Sequence, residues 1–150
     1  MRPSMRRRAA RDGARMADVH IEIPPRSAYV RVVRLALSAL GRSAGMEEEG
    51  VDDLKIAVSE ACANAVMANE TAMTDEPVTI TWTEEDQRFV VEVGDRGESF
   101  TVGEEGDAFD SQGFSSRLTM SIALLKSMVD ECRFAPRRDG GMCTTLVVNR

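Results

Sequence analysis

The chain has one histidine, His20, and three cysteines, Cys62, Cys132 and Cys143, spread over 150 residues. An odd, widely spaced set of thiols with a single imidazole makes neither a disulfide framework nor a zinc pattern, and it fits a reduced, cytoplasmic setting. No apolar run approaches the roughly 18 residues that a membrane-spanning helix needs, so a membrane role is not expected. The opening residues lack the apolar segment of a secretory signal. There is no internal repeat. What remains is a 43% apolar composition, enough to bury one core in a single domain.

Charge is divided unevenly. Residues 1–18 carry six arginines against Asp12 and Asp18, whereas the formal total is −6, which leaves −10 on residues 19–150. The opening stretch reads as a disordered basic tail, residues 1–18, ahead of an acidic domain, residues 19–150. Met16 offers an alternative start. A nucleic-acid-binding arm is one reading of the tail and a solvated extension the other. The acidic domain argues against direct nucleic-acid binding and for a basic protein partner.

The central stretch is DDLKIAVSEACANAVMAN, Asp52–Asn69. It contains no Gly or Pro, is alanine-rich in its second half and begins with a possible N-cap at Asp52 or Asp53, so it predicts a helix. Leu54, Val58, Ala61, Cys62 and Ala65 form its core stripe. Glu60 and Asn64 are one turn apart and stack on one face. Among small and apolar neighbours, a carboxylate and an amide suggest a lined pocket, because burying them without partners is costly. The alternative is the polar margin of an ordinary amphipathic helix.

On the N-terminal side, Val19, Ile21 and Ile23 alternate with His20 and Glu22, the pattern of a strand that leaves His20 on the polar face. After Pro24-Pro25, Ser27 is placed to cap a helix that runs to Leu40, with Val30, Val33, Leu37 and Leu40 inward and Gly41 as its stop. A GRSAGMEEEG linker follows. Beyond the central helix, VTITWT and FVVEV predict an antiparallel hairpin covered on one side. The second strand runs into Gly94-Asp95-Arg96-Gly97, which puts an aspartate at a strand end. Residues 98–113 read as an acidic, glycine-containing loop, Arg117–Val129 as a third helix, and 131–135 with 142–148 as a closing hairpin. The order β-α-α-β-β-loop-α-β-β implies a two-layer α/β sandwich: a mostly antiparallel sheet with helices packed on one face.

SEACANAV resembles the N-box of the Bergerat-fold ATPases, the superfamily of gyrase, histidine kinases and MutL, and the strand-end GDRG resembles their adenine-binding aspartate-glycine box. From Val19 to Arg150 the chain is most similar to the single-domain bacterial anti-sigma factors that double as serine protein kinases, through the LKxAVSEACxNAV wording and an ending of the VDE…TTLVV type. The resemblance implies that ATP or ADP binds with Mg²⁺. Glu60 would be the general base toward a serine hydroxyl, Asn64 the Mg²⁺ ligand, and Asp95 the acceptor for the adenine amino group. Gly97 would let the backbone pass beneath the base. Thr119, Ser121 and Thr144 fall where the family grips the triphosphate.

Several departures touch that grip. The second glycine after the aspartate falls at Ser99, the lid glycines at Thr119 and Ser121, and the glycine before the TT pair at Cys143, with Gly140 and Gly141 just upstream. The histidine often found after the N-box falls at Ala68. Phosphate cradles use glycine so that backbone N–H groups can point inward. Two functions follow from the resemblance. One is an anti-sigma factor that sequesters a sigma factor and phosphorylates a serine of a STAS-type anti-anti-sigma antagonist with Mg-ATP. The other is a non-catalytic protein-binding module of the same fold that regulates transcription by partner switching. A homodimer is typical of the resembled family.

Overall fold

The computed structural model describes residues 15–150 other than Gln112. Most of the basic tail lies outside those residues. Its last four belong to a strand, because β1 (Arg15–Ile23) starts before Val19. Strand β2 (Val78–Glu85) continues past its apolar run through Glu84 and Glu85, and the backbone of β1 pairs along it as far as Arg15 opposite Glu85.

A short 3₁₀ turn, Ser27–Tyr29, leads into α1 (Val30–Ser43), and Ser27 makes no capping bond. Gly41 is inside this helix and does not stop it. It is buried, and a Cβ there would meet Met46 Sδ at 3.4 Å and Val51 at 3.6 Å, so the glycine serves the close approach of α1 to the following helix. The reversal comes at Gly45, whose φ of +86° suits glycine. The central helix α2 runs over Glu48–Thr71 and takes in glutamates read as linker. Glu48 and Glu49 occupy its first turn, where negative charge meets the positive end of the helix dipole. Arg42 also forks onto Glu48, at 2.8 and 3.2 Å. The stripe expected from the sequence is the one buried: Leu54, Val58, Ala61, Cys62 and Ala65.

Four further strands complete the main sheet with β1: β2, β3 (Arg88–Gly94), β7 (Glu131–Pro136) and β8 (Met142–Asn149), in the order β1-β2-β3-β8-β7 and antiparallel throughout. Val78, Ile80 and Trp82 share the buried face with Phe89, Val91 and Val93 and pack in one core with α1 and α2. Trp82 stacks on Phe89 at 5.1 Å between ring centres. This is the expected sandwich, with helices on one face.

The region between Asp95 and the third helix differs from the expected loop. It forms a second, three-stranded sheet: β4 (Thr101–Val102), β5 (Ala108–Asp110) and β6 (Gly113–Ser115). Strands this short carry too few residues for an alternation to show. Gly106 at φ +88° and Gly113 at φ +115° make its turns, Ala108 is fully buried, and Phe109 and Phe114 meet edge to face at 6.1 Å. Helix α3 (Ser116–Met128) follows directly, with Ser115 as its N-cap accepting from Leu118 N.

Candidate functional site

The cavity lies where the C-terminal half of α2, the end of β3, the N-terminal half of α3 and the strands β7 and β8 converge. It measures about 190 Å³. Ala61, Ala65 and Ala68 of α2 and Ala72 just past its end line it beside Asn64, Met67 and Thr71, and the short alanine side chains leave the space. Phe100 and Phe134, with ring centres 5.4 Å apart, form an apolar wall. Asn64, Asp95, Arg117 and Thr144 bring polar groups to this lining.

Asp95 is fixed by the backbone on both sides. Its amide donates to Met142 O at 2.9 Å. Its Oδ1 accepts from Gly97 N at 2.9 Å and from Met142 N at 3.2 Å, and Oδ2 enters no hydrogen bond among the described residues. The residue is 7% exposed, and burial pushes its carboxyl above the usual carboxylate range although the Gly97 and Met142 amides and the Arg137 guanidinium favour its charge. An anchored acceptor with one oxygen uncommitted suits an amino edge.

Three residues that the sequence reading did not assign hold this corner. Asn69, fully buried at the end of α2, accepts from Arg96 N at 2.6 Å and donates to Glu76 O at 3.0 Å. Arg137 donates to Asp95 O at 2.9 Å. A Cβ on Gly141 would lie 2.0 Å from Asp95 O, and the residue sits at φ +87°, so only glycine fits there. The Gly140-Gly141 pair was legible only as a turn.

Gly97 also requires the absence of a side chain, for a different reason than the resemblance implied. A Cβ at this position would come within 2.5 Å of Ala68 Cβ and 2.9 Å of its carbonyl. The glycine seats the loop against α2, at the residue where the resembled proteins often have histidine.

The phosphate end is arranged differently. Asn64 Nδ2 donates to Ser121 Oγ at 2.5 Å, and Asn64 Oδ1 accepts from Arg117 Nη1 at 3.2 Å. Arginine only donates, so the oxygen must face it and the amide orientation is determined. Ser121 is buried under this bond. Thr119 Oγ1 accepts from Ala108 N and donates to Ser115 O, each at 2.9 Å, and Thr119 does not line the cavity. Glu60 does not line it either. It borders a separate, broader groove of about 980 Å³, together with Arg31, Arg34, Lys55 and Leu124. One helical turn therefore divides Glu60 and Asn64 between two concavities.

This donor set does not fit Mg²⁺ as arranged. The amide oxygen expected to meet the ion already faces a guanidinium, and among the described residues no group of three His, Cys, Asp or Glu side chains is disposed to hold a metal. Among these residues, too, no helix is long and apolar enough to cross a membrane.

Comparison with known proteins meets this geometry at the level of the fold. The serine-protein kinase RsbW of Bacillus subtilis is 37% identical over 121 residues, 77% of this chain and 76% of the relative. That of Bacillus licheniformis is 29% identical over 126 residues, 79% of each. The crystal structure of the RsbU and RsbW domains of a Mycobacterium tuberculosis protein shares the fold, with a TM-score of 0.66 and 21% identity over 90% of this chain and 33% of that one. Residues 23–148 match the Histidine kinase-like ATPase domain, and the chain belongs to that family.

Proposed function

We propose that the protein is a partner-switching regulator that recognises adenine through Asp95, sequesters a sigma factor, and gives it up in exchange for a STAS-type antagonist. The observation that carries the reading is Asp95 itself, a buried carboxylate anchored through Oδ1 with Oδ2 uncommitted at an apolar cavity. Two relatives called serine-protein kinases support the regulatory setting, and the −10 balance of residues 19–150 suits a basic partner segment. A cytoplasmic homodimer is the form this reading takes. Calorimetry with ADP and with adenosine tests the site: binding is expected in wild type and its loss in Asp95→Asn, and no heat with either ligand would remove the adenine reading.

Within this function, phosphoryl transfer from ATP to a serine of the antagonist is the catalytic version. Glu60 would take the serine proton, and the groove of Arg31, Arg34 and Lys55 would receive the substrate. Glu60→Gln is then expected to lower transfer of labelled phosphate by about 10²–10⁴-fold while partner binding survives. Mg²⁺ enters this version only if Arg117 releases Asn64. The non-catalytic version is favoured by a specific observation: Thr119 spends its hydroxyl on the backbone, and Asn64 is bonded to Ser121 Oγ and Arg117. Wild-type protein that captures partner but transfers no phosphate would decide for it.

A further inference from the structure

We infer that the cavity takes an uncharged purine-type nucleoside in preference to a nucleoside triphosphate, and takes it without a divalent cation. The inference rests on the adenine reading of Asp95 and names the class of ligand that this corner accepts.

Size points first in this direction. At about 190 Å³ the cavity is smaller than the roughly 300–1,000 Å³ of ordinary ligand pockets. A flat base between the alanine face of α2 and the Phe100–Phe134 wall uses most of it.

Charge points the same way. Among the described residues, the cavity lining carries the carboxyl groups of Asp95, Glu98 and Asp110 and the guanidinium of Arg117. Ser111 Oγ donates to Glu98 Oε2 at 3.0 Å and helps to place that charge. A polyphosphate passing Glu98 would therefore meet like charge.

The polar groups of Asn64 and Thr119 are committed. Asn64 is bonded at both ends of its amide, to Ser121 and to Arg117, and the Arg117 guanidinium stands where a bridging cation would need the Asn64 oxygen. The Thr119 hydroxyl is held by Ala108 N and Ser115 O. The Thr119 hydroxyl therefore has no O–H left to donate to phosphate, while Asp95 Oδ2 remains as an acceptor for an amino edge.

Titration calorimetry of the full chain with adenosine, AMP, ADP and ATP, each with Mg²⁺ and with EDTA, tests the inference. Adenosine is expected to bind at least as tightly as any nucleotide, ATP to bind about fivefold or more weaker, and EDTA to change nothing. Arg117→Ala frees the Asn64 oxygen, so in this variant ADP binding is expected to strengthen several-fold when Mg²⁺ is added. Mg-ATP binding tenfold tighter than adenosine, or binding lost in EDTA, would overturn the inference and leave the adenine reading standing. Absence of binding by all four ligands would overturn the adenine reading, and the inference with it. An Arg117→Ala variant as indifferent to Mg²⁺ as wild type would refute the blocking role given to the guanidinium.

Discussion

The two ends of the cavity are built from the same kinds of parts and differ in what those parts bond to. At the Asp95 end, backbone does the holding. Gly141 and Gly97 bring chain against chain at distances no side chain allows, Asn69 and Arg137 satisfy loop backbone groups, and one carboxylate oxygen is left over. At the α3 end, side chains hold one another. Asn64 bonds both Ser121 and Arg117, and Thr119 separately pins the small β4–β6 sheet to α3 through the Ala108 amide. Glycine at Thr119 and Ser121 would leave amides to face a ligand; hydroxyls there tie the lid region to its own helix. One end is shaped to receive a group, and the other is internally satisfied.

The largest expected effect breaks the first end. Gly141→Ala puts a methyl group against the Asp95 carbonyl in a left-handed backbone position. It is expected to destabilise by about 3 kcal/mol or more, combining backbone strain with overpacking, which thermal unfolding would register as a fall of roughly 6–12 °C. A fall of only a degree or two would mean that the 137–141 turn moves aside and that the corner is less rigid than its contacts imply.

Thr119→Ala probes the second end with a smaller effect. It removes the acceptor for the Ala108 amide and is expected to cost about 1–3 kcal/mol in denaturant unfolding. Adenosine affinity should be unchanged. A drop in nucleotide affinity without a drop in stability would instead place Thr119 on phosphate.

Asp95→Asn sharpens the comparison with a still smaller effect of opposite sign. Burial raises the carboxyl above its ordinary value of 3.8. The folded state therefore holds its proton more tightly, and stability falls as pH rises through the folded value. Asparagine still accepts from Gly97 and Met142 but carries no charge. The variant is expected to be as stable as wild type or slightly more so at pH 7, with the gap closing as pH falls through the folded value toward 3.8, while adenosine binding is lost. A variant clearly less stable at pH 7 would show that the charge itself holds the loop.

Much of this site was legible in the chain. The alanine-rich run with Asn64, the strand ending in Asp95 and the apolar alternation of β2 and β3 are local patterns. Periodicity assigns them because one face must leave water whatever lies opposite. The wording around Glu60 and Asn64 also led to the right family. Even so, helical phase alone put those two residues on one face, and the structure separates them, because α3 approaches α2 beside Asn64 and leaves Glu60 to the groove it shares with α1. The 98–115 region read as a loop because its strands are two or three residues long and are held by a threonine on the next helix.

What the sequence by itself determined is therefore the set of elements, their buried faces and the residue at the end of β3, all consequences of spacing within a few turns or a single strand. The tertiary structure alone decided which polar groups remain available. That Gly141 must be glycine because it lies on Asp95 and that Asn64 is already bonded at both ends are facts about segments far apart in the chain. A hydroxyl or an amide has the same hydrogen-bonding capacity wherever it is written. Only the fold shows whether the protein has already used it.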